Sequence, residues 1–94
     1  MAATFDLSIL TPERAVYQGQ VEHVLVPGSE GYLGVLADHA PLVTALAAGT
    51  LTARESGGGE RTWQVSGGFF EVADNHATVL ADEVSGGAES SRGD

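Results

Sequence analysis

The chain has 94 residues, no cysteine, and a formal charge of -9 set by four basic against 13 acidic side chains. Disulfides, zinc–thiolate clusters, iron–sulfur ligation and thiol chemistry are therefore excluded, and the fold must hold by packing. The basic residues Arg14, Arg54, Arg61 and Arg92 are scattered, so no basic patch is available to hold nucleic acid or an anionic lipid surface.

In chain order, Phe5-Asp6-Leu7-Ser8-Ile9 alternates large apolar with polar residues, the period of a strand with one dry face. Thr11-Pro12-Glu13 reads as a turn. Ala15-Val16-Tyr17 is a short extended piece ended by Gly19, and Val21 to Val26 a further strand rich in β-branched residues. Pro27-Gly28-Ser29-Glu30-Gly31 predicts a tight reversal, with Tyr32 to Leu36 returning as the partner strand. Ala37 to Pro41 is a loop, because Pro41 disfavours helical geometry at Ala40. Leu42 to Ala48 is alanine-rich but too short for a stable helix, so it reads as a strand. Leu51 to Arg54 follows, then a Ser56-Gly57-Gly58-Gly59 hairpin tip and a strand from Arg61 to Val65. Ser66-Gly67-Gly68 reads as the next break, Phe69 to Ala73 as a strand, Asp74-Asn75 as a hairpin turn, and His76 to Ala81 as the last strand. From Ser85 to Asp94 there is no apolar anchor, which predicts a flexible acidic tail, 85–94, after a single domain, 1–84.

Short strands punctuated by Gly, Pro, Asn and Asp indicate an all-β sandwich or barrel. Phe5, Trp63, Phe69 and Phe70 are expected to supply the core, although of the adjacent pair one must point elsewhere. No stretch approaches the roughly 20 apolar residues of a membrane-spanning helix, so no direct lipid insertion is expected.

Chemistry is sparse. His23, His39 and His76 fall in a strand, a loop and after a turn, without metal-ligand spacing. Pairs such as Asp38 with His39 or Glu71 with Asp74 carry no information at this density of carboxylates. Ser66 joins strand to strand, so it is no nucleophile elbow. The glycine turns lack a lysine and open no helix, as phosphate loops do. No catalytic residue, metal or cofactor is expected. Tyr32, on a rigid turn, has two readings: an aromatic anchor for a protein partner, or a side chain covering the end of the β-structure.

Pro27 to Leu36, then Asp38-His39-Ala40-Pro41-Leu42, then Ser66-Gly67-Gly68-Phe69-Phe70-Glu71-Val72 resemble the amino-terminal domain of the epsilon subunit of F-type ATP synthases. The likeness covers residues 4 to 84. It implies a flattened β-sandwich of two antiparallel sheets with about ten short strands. It also implies a non-catalytic central-stalk subunit, one copy per complex, bound to the gamma subunit and the c-subunit ring and coupling proton-driven rotation to ATP synthesis. Such a subunit is a peripheral protein on the cytoplasmic face of the bacterial plasma membrane, held there by the synthase. The c-ring contact maps to Ser29, Glu30, Gly31 and Tyr32, and the gamma contact to Thr11, His39 and Thr44 with Ala40, Pro41 and Leu42 beside them. Many relatives carry a carboxylate where this chain has Tyr32; either Glu30 replaces it or Tyr32 supplies apolar and hydroxyl contacts instead. Relatives often continue into an inhibitory helical hairpin, and no amphipathic helix can be drawn through 85–94, so that role is expected to be absent. The reading weighed against this one is a free-standing binding module using the loops Gly28 to Tyr32 and Asp38 to Leu42. A small metal enzyme of the cupin sort would need inward-facing ligands that the three histidines do not provide.

Overall fold

In the computed structural model, which describes residues 3–90, alternation of apolar and polar side chains is expressed as seven strands: β1 (Phe5–Leu10), β2 (Ala15–Gly28), β3 (Gly31–Leu36), β4 (Leu42–Glu55), β5 (Glu60–Ala73), β6 (His76–Ala81) and β7 (Val84–Ser90). Three of them, β2, β4 and β5, are 14 residues long. Each runs through a position that reads in sequence as a break. Gly19, Gly49 and Ser66-Gly67-Gly68 lie inside these strands without ending them, as glycine is found at bulges and barrel corners.

The two-sheet sandwich of about ten strands is thereby corrected. All strands belong to one sheet in the order β1-β6-β5-β4-β2-β3, and β1 also pairs with β2, which closes β1, β6, β5, β4 and β2 into a five-stranded barrel. β3 extends the sheet beyond β2, and β7 pairs with β5. Nor is the sheet wholly antiparallel, since β1 and β6 run parallel. Apolar alternation is the same in a sandwich and a barrel; only the β1–β2 pairing separates them, and it leaves no ring edge unpaired.

The core fills the barrel. Phe5, Leu7 and Ile9 of β1 meet Trp63 and Phe70 of β5 and Val79 of β6, all at most 2% exposed. Phe69 leaves the expected core set: it alternates with Phe70 and stands 57% exposed on the outside. The tail expectation is also altered, because Val84–Ser90 is a strand in register with Glu60 to Val65; residues 91–94 lie outside the described residues.

Candidate functional site

The first predicted docking loop is a hairpin. β2 and β3 pair from His23 with Leu36 to Gly28 with Gly31, leaving Ser29-Glu30 as a two-residue connection. Gly31 takes φ 129, a conformation L side chains rarely adopt, so glycine is required where the chain returns. The tip does not project freely: the Ser29 amide donates to the Ala45 carbonyl of β4 at 2.9 Å. Ser29, Glu30, Gly31 and Tyr32 are all exposed, but the Tyr32 hydroxyl accepts a hydrogen bond from the Thr50 amide at 3.1 Å. Tyr32 is thus folded back on β4.

The second loop, residues 37–41, is held by the β5–β6 turn. Asp38 adopts φ 64, and its amide donates to Asn75 Oδ1 at 2.7 Å. Asn75, in the β5–β6 turn, also donates through Nδ2 to the Thr4 carbonyl at 3.1 Å. Asp74 and Asn75 both have positive φ, as a two-residue hairpin of the expected kind requires. His39 is partly buried, and its Nδ1–H donates to the Ala40 carbonyl at 2.7 Å. Ala40 and Pro41 are exposed.

The remaining predicted positions divide by strand parity. Leu42 and Thr44 share the core-facing side of β4 with Leu46, and both are partly buried. Thr11 sits at the end of β1, where its amide and hydroxyl both donate to the Arg14 carbonyl, at 2.9 and 3.3 Å. It borders a shallow groove of about 440 Å³ with Leu10, Pro12, Phe69 and Leu80 among its walls.

That groove opens onto a feature the sequence reading did not assign. Leu10 of β1 pairs with Leu80 of β6, Leu80 with Phe69 of β5, and Phe69 with Ala45 of β4. The four form one outward-facing row, with Val43 next to it on β4. Phe69, Leu80 and Val43 are 57, 51 and 66% exposed. The row runs from beside Thr11 to the carbonyl that tethers Ser29, so one apolar face joins both predicted docking regions. The sequence did carry signals. Phe69-Phe70 forces one ring outward, and Leu80 lies opposite the shared side of Ala77, Val79 and Ala81.

The histidines are not brought together. His23 lies against Gly34, His39 against its own loop, and His76 sits 3.6 Å from Asp6. Among the described residues, no group of three His, Asp or Glu side chains is arranged to hold a metal ion.

A family model described as "ATP synthase, Delta/Epsilon chain, beta-sandwich domain" matches residues 4–87. The ATP synthase epsilon chain of Syntrophomonas wolfei is 44% identical over 87 residues, taking in 93% of this chain and 64% of the relative. That of Moorella thermoacetica is 48% identical over 80 residues, 85% of this chain and 60% of the relative. The chain thus spans about three-fifths of the length of these curated relatives. The shorter epsilon chain of Chlorobaculum tepidum, 43% identical over 81 residues, is covered over 92% of its length. Among solved structures, a chain of the Euglena gracilis mitochondrial ATP synthase, in its OSCP/F1/c-ring structure, superposes with a TM-score of 0.85 at 28% identity. The match covers 92% of this chain and 55% of that one. On matches that take in nearly all of its length, this chain belongs to the delta/epsilon-chain family of ATP synthases, as a domain of that family's β-structured type.

Proposed function

We propose that this chain is a non-catalytic central-stalk subunit of an F-type ATP synthase, docking on gamma and on the c ring and turning with them as ion flow is coupled to ATP synthesis. The observation that carries the reading is the apolar row Leu10–Leu80–Phe69–Ala45 on a chain of this family. A folded domain gains nothing by holding such side chains in water, whereas a partner that covers them does. Burying the exposed parts of Phe69 and Leu80 is worth about 1–2 kcal/mol each.

In this arrangement gamma lies on the outer face of β1, β6, β5 and β4. Thr11 borders it at one end, and the His39-Ala40-Pro41 loop leads into it at Leu42. Thr44 acts from beneath, through the partly buried side of β4. The hairpin Ser29 to Tyr32 faces the c ring. The solved Euglena assembly, whose similar chain is seen together with F1 and the c-ring, supports a place at that junction. No helix among the described residues is long and apolar enough to cross a membrane, and the chain is held at the cytoplasmic face of the bacterial plasma membrane by its partners, one copy per synthase. No metal or cofactor takes part.

The test is capture of synthase subunits by the tagged full chain from mildly solubilised membranes. Gamma and the c ring are expected with the wild type, and the Phe69→Ser and Leu80→Ser variants, folded to the same extent, are expected to retain about tenfold less gamma. Recovery of no synthase subunit by the wild type overturns the assignment. Undiminished capture by both variants moves gamma to another face.

A further inference from the structure

The β2–β4 ladder has a gap. Leu25 pairs with Thr52, and the next pair is Gly28 with Leu46, so two residues of β2, Val26 and Pro27, face five of β4, Ala47 to Leu51. Thr50 lies within the unmatched stretch. A backbone amide left without a ladder partner must find another acceptor or remain unsatisfied. The acceptor here is the Tyr32 hydroxyl, 3.1 Å away, reaching over from β3. The approach is close-packed. A Cβ placed on Gly49 would stand 2.9 Å from the Tyr32 hydroxyl and 2.8 Å from Pro27 Cβ, so only glycine leaves room for the phenol. Pro27 is Tyr32's partner across the hairpin and is itself buried.

We infer that Tyr32 is a positioning residue for the hairpin tip: by filling the gap in the β2–β4 ladder it locks the hairpin on β4 and leaves Glu30 as the carboxylate that the tip offers to a cationic group on the c ring. The inference rests on the docking reading above and assigns the work within it. The Tyr32 oxygen that accepts from Thr50 keeps its O–H to donate, but it carries no charge and has little left to offer a cationic donor. Glu30 is the one ionisable side chain of Ser29 to Tyr32 besides that phenol; it is exposed and has no ion-pair partner among the described residues. The tip that carries it is fixed twice, through Ser29 to Ala45 and through Tyr32 to Thr50. Fixing both ends of a short loop removes the ordering cost that a free carboxylate would meet on binding. A charge-assisted contact from a fixed carboxylate is also stronger than a neutral one and sets the salt dependence of association.

The experiment measures binding of the full chain to purified c ring carrying gamma, across a range of salt, together with amide exchange of the free chain. Glu30→Gln is expected to weaken binding about tenfold and flatten its salt dependence, and Tyr32→Phe to weaken it about fivefold in the same way. The Tyr32→Phe/Glu30→Gln double variant is expected to bind within about twofold of Glu30→Gln alone, because the two losses are one loss. A general loss of stability would instead lower affinity by the same factor with or without Glu30. Gly49→Ala, which leaves the phenol intact but displaces it, is expected to reproduce Tyr32→Phe. In the free chain, both variants are expected to speed exchange of the Thr50 amide about tenfold while leaving Leu51 and Phe70 protected. Additive losses in the double variant, or an unchanged Thr50 amide, overturn this inference and leave the docking reading standing. Failure of the wild type to bind the c ring at any salt overturns both.

Discussion

Two rows of residues each cross four strands of this sheet, and they are finished in opposite ways. One is a seam of Tyr17 on β2, Glu55 on β4, Arg61 on β5 and Gly87 on β7. Glu55 Oε2 accepts from the Tyr17 hydroxyl at 2.6 Å and from Arg61 Nε at 2.9 Å. Arg61 Nη1 donates to the Gly87 carbonyl at 2.9 Å, and its guanidinium lies 5.6 Å from the centre of the Tyr17 ring. The other row is Leu10, Leu80, Phe69 and Ala45 on β1, β6, β5 and β4, apolar throughout, with Leu80, Phe69 and Ala45 open to solvent and Leu10 partly so. The seam satisfies its own polar groups and needs nothing from outside. The open row is completed only by another surface, and the contrast separates the part of the exterior that holds the fold from the part that serves assembly.

The sharpest way to break that contrast is at two adjacent rings. Phe70 is fully buried and Phe69 is 57% exposed. Phe70→Ala is expected to cost about 3–5 kcal/mol of stability, while Phe69→Ala changes stability by no more than about 0.5 kcal/mol and instead reduces capture of gamma. Urea titrations of both variants, read beside the capture experiment, check this. Comparable stability losses at the two positions would place Phe69 in the fold and remove the open row from the docking argument.

Much of this was legible in the sequence, and what was not has a physical reason. The strands were readable because each local alternation reports which face is dry, and the Asp74-Asn75 and Ser29-Glu30 reversals because their turn chemistry is local. Closure was not readable. It depends on Phe5 finding Val21 and Leu10 finding Ala15, pairings that no window of one strand contains. β7 was missed because Ser85-Gly86-Gly87-Ala88 has no strand propensity of its own; β5 and Trp63 impose its conformation from outside. In the site, both loops could be placed from their Gly and Pro residues. The inward direction of Leu42 and Thr44 could not be carried back from Leu51 and Ala53, because the dry face of β4 passes from even to odd positions between Leu46 and Leu51, and the role of Tyr32 required the ladder gap.

A second, smaller effect probes the seam where β7 joins it. Gly86 pairs with Trp63, and the backbone of Gly87 lies against the indole: a Cβ there would be 2.5 Å from Trp63 Nε1, at a φ of 100. From the other side Tyr17 meets Trp63 edge-on, with ring centroids 5.1 Å apart. Gly87→Ala combines overpacking with a disfavoured backbone and is expected to cost about 2 kcal/mol. It should also lift β7 from β5, opening the single tryptophan to acrylamide quenching and shifting its emission to the red. Emission like that of the wild type would mean β7 adjusts without leaving, and the seam would then end at Arg61.

The smallest effect tests whether charge closes the seam. The Tyr17 hydroxyl, and after it Arg61, hold the Glu55 carboxyl below its ordinary range, against partial burial, which pushes it up. Because folding lowers this pKa, the stabilisation is complete above the ordinary carboxylate value of 4.5 and is lost as pH falls through the lower folded value. Glu55→Gln keeps the shape but not the charge, and both partners are partly open to water. It is therefore expected to cost about 1 kcal/mol at pH 7. In urea titrations carried stepwise into acid, that difference should shrink once the wild-type carboxylate takes up its proton, until the two proteins unfold together. A difference that persists unchanged through the acid range would mean that packing of Tyr17 on Trp63 holds the seam without its charge. The two rows would then differ in exposure alone, and an open apolar row would lose the contrast that marks it as a surface awaiting a partner.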